Sequence, residues 1–289
     1  MDIQQILQLI VNGIAVGSII ALGAVGLTLT YGILRLSNFA HGDFLTLGAY
    51  LCLFINQLGV NIWLSMILAA GGTVIVMLLT EKLLWSRMRS IRATSTTLII
   101  ISIGLALFLR NGIIFIWGGR NQKYDLPVFT ALDLFGLKVQ QNQLVVLGLA
   151  VFAVGSLFLL LQYTKIGKAM RAVADDLDLA RVSGINIETV IIWTWVIAGV
   201  FTSLGGSMYG LIEAVRPNMG WFLILPLFAS VILGGIGNPY GAIAGALIIG
   251  ITQELSVAII SPQYKQGVAL LIMILVLLIR PKGLFKGTI

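Results

Sequence analysis

The chain has 289 residues, of which 58% are hydrophobic and only 10% are charged. Soluble domains carry about 25% charged residues, so this composition, with a mean hydropathy of +1.03, excludes a soluble protein and predicts folding in lipid. The formal charge of +7 is divided among short loops, which indicates membrane topology rather than nucleic-acid binding. Cys52 is the only cysteine, so an internal disulfide and a cysteine-built metal site are excluded.

Uncharged stretches recur along the chain, and several are long enough to cross a hydrocarbon core, which takes about 20 apolar residues as a helix. They lack the apolar–polar alternation of β-barrel strands, so we expect an all-α integral membrane protein that forms one polytopic bundle. Two of the expected segments are short, which predicts a tilted, broken or re-entrant course. Eight or nine segments are expected, at residues 5–33, 43–57, 60–81, 94–117, 143–162, 189–211, 222–236, 241–259 and 265–280.

Glycine spacing and the start of the chain bear on how these segments insert and pack. No basic region precedes the first apolar stretch, which is too long for a signal peptide, so we expect it to be retained as a helix. Gly13 and Gly17, and again Gly241 and Gly245, have the spacing that lets helix backbones approach closely in lipid. No strong internal repeat is evident, although divergence can hide the weak symmetry that is common in transporters.

Lysine and arginine are divided unevenly between the two sets of loops. If the loop that contains Lys82 and Arg92 is cytoplasmic, strict alternation places twelve basic residues inside and five outside. Cytoplasmic loops carry the excess of basic residues in membrane proteins. We therefore expect insertion in the bacterial inner membrane with an external N-terminus and a cytoplasmic C-terminus.

Residues 163–188 form the most polar segment on the expected cytoplasmic side. They contain four basic and four acidic residues, with apolar residues interleaved near helical spacing. This pattern predicts a charged amphipathic helix that is too polar to cross the membrane. Such a helix docks in a groove of a partner or lies on lipid, and a solvated loop is the plainer alternative.

Enzymatic chemistry finds no support in the residue inventory. The chain has one histidine and one cysteine, and it lacks the Gly-x-x-x-x-Gly-Lys-Ser/Thr loop that cradles ATP phosphates. We therefore expect no catalytic residues, no cofactor and no ATP hydrolysis by this chain. A membrane-embedded enzyme would need a catalytic cluster, and an ion-coupled carrier would need more intramembrane carboxylates than the sequence offers.

Sequence strings spread over nearly the whole chain match the motifs of one family in their order. They are Gly-Ser-Ile-Ile-Ala-Leu-Gly at 17–23, Asn-Phe-Ala-His-Gly-Asp at 38–43, Lys-Ala-Met-Arg-Ala-Val-Ala at 168–174, Asp-Leu-Ala-Arg-Val-Ser-Gly at 178–184 and Leu-Gly-Gly-Ile-Gly-Asn-Pro-Tyr-Gly at 233–241. The chain resembles the LivH-type permease subunits of branched-chain amino acid ABC importers. String 178–184 departs from the family's Glu-Ala-Ala-x-x-x-Gly signature, with Asp for Glu and Leu for the first Ala.

This resemblance implies a pathway between the chain and a second homologous permease subunit. Two cytoplasmic ATPase subunits would drive transport, a periplasmic solute-binding protein would dock on the external loop 118–142, and no nucleic acid would be involved. Residues 1–289 would form one permease domain in membrane lipid, with 163–188 as its coupling-helix loop. A urea or other small-amide permease of the same family is an open alternative. The ATPase-coupling residues are expected to be Arg171, Asp178, Ala180 and Gly184.

Ionised residues inside predicted spans are candidates for function, because charge is expensive in a bilayer. Arg110 and Glu254 both lie on outward-running segments, at roughly 24 and 20 Å from the inner ends for a rise of about 1.5 Å per residue. We predict an intramembrane polar pair or a place along the pathway, with snorkelling toward the outer surface as the alternative. His41 and Asp43 fall between two segments on the expected inner side, where an inner gate and simple helix capping are both open.

Overall fold

The structure is a computed structural model that describes residues 3–126, 132–134 and 137–285. The first part of the chain forms α1 (Ile3–Leu34), α2 (His41–Gln57), α3 (Ile62–Thr80), a π-helical turn (Glu81–Trp85), α4 (Ser86–Ser90) and α5 (Ser95–Trp117). Strands β1 (Leu132–Leu134) and β2 (Leu137–Val139) form an antiparallel hairpin. The remainder forms α6 (Gln141–Tyr163), α7 (Lys165–Asp175), α8 (Leu177–Val182), α9 (Ile187–Ile212), α10 (Met219–Gly234), α11 (Pro239–Ser256) and, after a short 3-10 turn, α12 (Lys265–Ile279).

The fold is all-α apart from this hairpin, and it places the apolar segments where the sequence predicts them. In the described part of the chain, six helical stretches are long and apolar enough to cross a membrane. The apolar helices α2, α10 and α11 are shorter or less hydrophobic. These nine helices of the described residues correspond one to one to the nine predicted segments, so the chain is a multi-pass membrane protein.

The bundle has two ends, which we name after the elements that lie there. At the hairpin end, α1 begins and Gln8 exchanges two hydrogen bonds, of 2.9 and 3.0 Å, with the backbone of Lys138 in β2. At the α7 end, α1 finishes beside α7 and beside the start of α11. Glycine makes the close packing possible: a Cβ at Gly17 would lie 3.0 Å from the Leu247 Cα, which confirms the predicted helix contact.

Helices α2 and α10 both begin in the middle of the bundle and run to opposite ends. The His41 ring, at the start of α2, bonds the carbonyl of Gly23, which lies eleven residues before the end of α1 and so about 16 Å from the α7 end. At the start of α10, the Gly220 amide donates to the Thr46 hydroxyl across 2.9 Å. A Cβ at Gly220 would overlap the carbonyl oxygen of Gly42, so the first turns of the two helices are in backbone contact.

Two six-residue segments, 35–40 and 213–218, return the chain to the middle of the bundle before α2 and α10. We call α2 and α10 the half-helices, because each runs from the middle of the bundle to one end. Segment 35–40 turns sharply at Arg35, whose φ is 52°. The Ser102 hydroxyl in α5 then accepts a hydrogen bond from the amide of Phe39 at 3.1 Å. The two predicted short segments are therefore re-entrant, because each is preceded by a return rather than by a full crossing.

The two halves of the bundle repeat this course with opposite direction. Residues 31–45 and 209–223 share the pattern Tyr-Gly, two aliphatic residues, seven variable residues, then Gly-x-Phe-Leu. The pattern occupies equivalent positions, since it ends one long helix and starts the half-helix that follows in each case. The elements α1–α2–α3 and α9–α10–α11 therefore form an inverted repeat of the kind found in transporters, which is the weak symmetry that the sequence analysis left open.

Candidate functional site

The junction of α2, α5 and α10 holds a charged pair within the membrane-spanning bundle. Asp43 lies in the first turn of α2, where a carboxylate is favoured by the helix dipole. Arg110 of α5 meets it with two parallel hydrogen bonds of 3.0 Å, from Nε to Oδ1 and from Nη2 to Oδ2. The side chains are 1% and 15% exposed, respectively. Such two-pronged, charge-assisted geometry fixes both side chains.

Trp221 completes this junction from the start of α10. Its ring centroid lies 4.8 Å from the Arg110 guanidinium carbon, a cation–π contact. Trp221 occupies the position in the second repeat that Asp43 occupies in the first, so Arg110 binds the equivalent residue of both half-helices. The Trp221 ring is about half exposed, which brings the junction to the surface of this subunit.

His41 fastens α2 to two other helices rather than lining an opening. Its Nε2 lies 2.9 Å from the Gly23 carbonyl in α1 and 3.1 Å from the Thr202 hydroxyl in α9, and the residue is fully buried. The placement of His41 and Asp43 at the inner end of the bundle is therefore wrong, because segment 35–40 returns them to its middle. A gating role for either residue stays a prediction.

The expected Arg110–Glu254 pair is also wrong. Arg110 pairs with Asp43, and Glu254 accepts a hydrogen bond of 2.6 Å from the ammonium group of Lys265, at the start of α12. Equal depth along two helices carries no information on whether they are neighbours, and α5 lies against α2 rather than α11. The Lys265–Glu254 pair sits near the hairpin end, where its side chains are 33% and 12% exposed.

The coupling residues predicted by resemblance lie on α7, α8 and the turn that follows. Asp176 caps α8 by accepting hydrogen bonds of 2.9 Å from the amides of Asp178 and Leu179. Gly184 ends this helix with a φ of 83°, and the Ile185 amide then bonds the Ala180 carbonyl at 3.1 Å. Gly184 therefore occupies the left-handed C-terminal position, which favours glycine.

Helix α8 leaves most of its side chains exposed. Ala180 is buried against the bundle, whereas the Asp178 side chain is 90% exposed, at 3.7 Å from Arg181. Leu179 and Val182, which lie on one face at i and i+3, are also exposed. Arg171 in α7 bonds Gln162 in α6 at 2.6 Å. The six-residue helix α8 thus presents a small mixed surface of apolar and charged side chains.

The described part of loop 118–142 folds over the hairpin end. Gln122 pairs with Val215 of the re-entrant segment through two backbone hydrogen bonds of 2.9 Å. The buried Tyr124 hydroxyl reaches the Ala49 carbonyl at 3.3 Å, and burial raises the pKa of Tyr124 well above its ordinary value. Residues 127–131 and 135–136 of this loop lie outside the described residues. The described part of the loop therefore covers the part of α2 that lies at the hairpin end.

Sequence reasoning missed Trp221 and Lys265 as partners of the intramembrane charges. A signal for Trp221 was present, because aligning Gly42 with Gly220 places Trp221 opposite Asp43. Lys265 begins the last predicted segment, where sequence reasoning gave it no partner, although its ammonium group bonds the helical carboxylate of Glu254.

Comparisons with known proteins agree with this architecture. The sequence profile of a family described as branched-chain amino acid transport system, permease component, matches residues 9–277. The chain is 33% identical to the high-affinity branched-chain amino acid transport system permease protein LivH of Escherichia coli K12, over 96% of this chain and 94% of the relative. It is 32% identical to the corresponding protein BraD of Pseudomonas aeruginosa, over 98% and 96% of the two chains.

One solved structure extends the comparison to the fold. The structure of PsaBC from Streptococcus pneumoniae in complex with Fab aligns with a TM-score of 0.52 at 15% sequence identity. The alignment covers 96% of this chain and 92% of that chain. At this identity the likeness concerns the fold alone.

Proposed function

The chain belongs to the family of branched-chain amino acid transport permease components, and from this membership we propose that it is a membrane-spanning subunit of an ABC importer for neutral amino acids. The curated relatives that match nearly its whole length bear the names of such permeases. Branched-chain amino acids are the proposed substrates. The inverted repeat around two half-helices supports a role in translocation, since transporters place their pathways where discontinuous helices meet.

The surface around Trp221 is the proposed wall of the translocation pathway. Trp221 and Phe222, at the start of α10, are each nearly half exposed, as is Leu107 on α5. Behind this surface lies the Asp43–Arg110 pair, which holds both half-helices in place. A second homologous permease subunit would supply the facing wall.

Coupling to two ATPase subunits is proposed for α7, α8 and Gly184. The exposed apolar residues Leu179 and Val182 offer a docking surface that a polar rim surrounds, with Asp178 and Arg181 in that rim. Small apolar patches with a charged rim are typical of protein interfaces. The α7 end is proposed to face the cytoplasm, and the hairpin end is proposed to face a periplasmic binding protein, with the protein in the bacterial inner membrane.

The distribution of basic residues supports this orientation. Strict alternation assigns Arg35, Arg89 and Lys168 to the side of the membrane that is rich in basic residues. Among the described residues, all loops assigned to that side lie at the α7 end of the bundle. Such an excess marks the cytoplasmic side. A reporter fused after residue 289 should therefore read cytoplasmic, and one placed within 121–130 should read external.

The proposal is tested by reconstituting the chain with its partner permease, ATPase and binding protein in liposomes. We expect uptake of labelled L-leucine that requires ATP and is competed by isoleucine and valine. Uptake that follows a proton or sodium gradient without ATP would contradict the ABC assignment, and competition by urea or acetamide alone would redirect the substrate. The variant Val182→Glu should abolish ATP-dependent uptake while leaving membrane abundance unchanged, and the exposed Ile259→Glu at the opposite end serves as its matched control.

A further inference from the structure

A cavity at the hairpin end has the features of a ligand-binding site. It lies between α1, α9, α10, α11 and α12 and has a volume of about 320 Å³. That volume is near the lower limit of small-molecule sites, which span about 300 to 1,000 Å³. Its floor is apolar and buried, and consists of Ile19, Ile20, Leu223 and Pro226.

Two ion pairs line the same cavity. Glu213 and Arg216, on the re-entrant segment before α10, lie 3.4 Å apart with side chains that are about half exposed. Glu254 and Lys265 face the cavity from α11 and α12, with 2.6 Å between Lys265 Nζ and Glu254 Oε1. The cavity therefore presents two carboxylates and two cations above an apolar floor. One other cavity, at the α7 end, is also lined by charged residues of both signs, including Glu81 and Arg89.

This arrangement is complementary to a molecule that has one positive charge, one negative charge and an aliphatic tail. We infer that the cavity binds a zwitterionic neutral amino acid, with its carboxylate at Arg216 or Lys265, its ammonium group at Glu213 or Glu254, and its side chain on the apolar floor. The inference rests on the proposed function, whose substrate class it explains. A lone inorganic ion would leave the apolar floor without a role.

The looser of the two pairs is suited to exchange its internal contact for the ligand. Glu213 and Arg216 lie three positions apart in the chain, and their side chains are about half exposed. Ion pairs of this kind contribute little to stability. Their side chains can therefore turn to a ligand at small cost. Glu254 and Lys265 form the shorter contact on the opposite wall and fix the charge pattern there.

The test measures equilibrium binding of labelled L-leucine to the full chain in lipid nanodiscs, without a binding protein. Two analogues report on the two charges separately: isocaproate lacks the ammonium group and isoamylamine lacks the carboxylate. We expect L-leucine to bind at least about tenfold more tightly than either analogue, because each lost charge-assisted contact leaves a partner unpaired. Equal affinity for all three compounds would overturn the inference, as would an absence of leucine binding.

Single neutralising variants should each weaken the discrimination against a different analogue. In Glu213→Gln, the preference for leucine over isocaproate should fall, because the partner of the ammonium group is lost. In Arg216→Gln, the preference over isoamylamine should fall instead. The matched control is Arg120→Gln, which removes an exposed arginine from the same end of the bundle but outside the cavity. An equal change in Arg216→Gln and Arg120→Gln, or in neither, would contradict the site.

Binding and uptake together separate this inference from the proposed function. If wild-type liposomes take up leucine with ATP and Arg216→Gln leaves both binding and uptake unchanged, the cavity is not the site and the function stands. If wild-type liposomes take up no amino acid, the proposed function fails whatever the cavity binds. The double variant Glu254→Gln/Lys265→Met should weaken leucine binding while leaving protein abundance near normal, and unchanged affinity there would count against the inference.

Discussion

The two intramembrane ion pairs of this protein occupy different surroundings. Asp43–Arg110 lies at the junction of two half-helices, joins three helices through Trp221, and has a carboxylate that is 1% exposed. Glu254–Lys265 forms a single contact in the wall of a cavity, and the lysine side chain is one-third exposed. The cavity and the exposed lysine side chain open the second pair to water more than the first, so the first should govern stability and the second should govern ligand contact.

The inverted repeat explains why the first pair lies at the centre. Both half-helices begin at the same place, and their first turns touch through Gly42 and Gly220. Two helix N-termini concentrate positive potential there, which favours the Asp43 carboxylate and opposes an unpaired Arg110. The Asp43 carboxylate therefore offsets positive potential that the backbone itself creates, and it also pairs with Arg110.

The largest expected effect comes from breaking the central pair. Arg110→Met strands the Asp43 carboxylate, and removing one member of a buried pair costs about 3 to 5 kcal/mol. We expect membrane abundance to fall severely. Arg110→Met with Asp43→Asn should recover part of the loss, because coupled residues are non-additive. Immunoblots of membranes would measure this, and losses that simply add would remove the pair from its stabilising role.

A smaller loss is expected from separating the half-helices without changing charge. In Gly220→Ala the new Cβ would overlap the Gly42 carbonyl, and overpacking costs about 1 to 3 kcal/mol. The control is Gly148→Ala in α6, where a Cβ meets nothing within 4 Å. Thermal inactivation of purified protein should show a lower midpoint for Gly220→Ala only, and equal midpoints for the two variants would argue against close contact at the junction.

Gly184, an exposed position away from both ion pairs, tests the effect of backbone strain alone. Gly184→Ala places a side chain at a φ of 83° with no neighbour within 4 Å, which costs about 1 kcal/mol from the backbone alone. Gly184→Asn should cost less, because asparagine tolerates this conformation. ATPase activity of the assembled complex should fall in the order glycine, asparagine, alanine; a better result for alanine than for asparagine would dissociate coupling from this backbone conformation.

The smallest effect on abundance is expected at the cavity pair. Lys265→Met leaves Glu254 in the wall of an open cavity, so assembly should be close to normal while leucine uptake decreases. Quantitative membrane blots and uptake assays on the same cells would show this. A collapse in abundance like that of Arg110→Met would erase the proposed distinction between the pairs.

The sequence predicted where the helical segments lie along the chain, but it predicted poorly how deep particular residues lie in the bundle. Hydropathy located the nine apolar helices of the described residues. The same method placed the connection before the second segment on the inner side, although it allowed a re-entrant course for the segment itself. Segment 35–40 departs from that placement, since its six residues return to the bundle, and His41 and Asp43 were therefore placed too close to one end.

The sequence also failed to predict which residues pair with the charged side chains inside the bundle. Helical rise gives the depth of Arg110 and Glu254 but not which helices are neighbours, so a pair was predicted between helices that face different partners. The correct partner of Arg110 follows only from the packing of α5 on α2. The repeated Gly-x-Phe-Leu string held part of the answer, because it relates Asp43 to Trp221 across the two halves.

The central claim is that one pair holds the bundle together and the other forms part of the proposed solute-binding cavity. It is tested most directly by comparing Arg110→Met with Lys265→Met in the reconstituted importer, measuring protein recovered in liposomes and leucine uptake per recovered protein. We predict low recovery for Arg110→Met, and normal recovery with reduced uptake per protein for Lys265→Met. Normal recovery of Arg110→Met together with poor recovery of Lys265→Met would contradict the account.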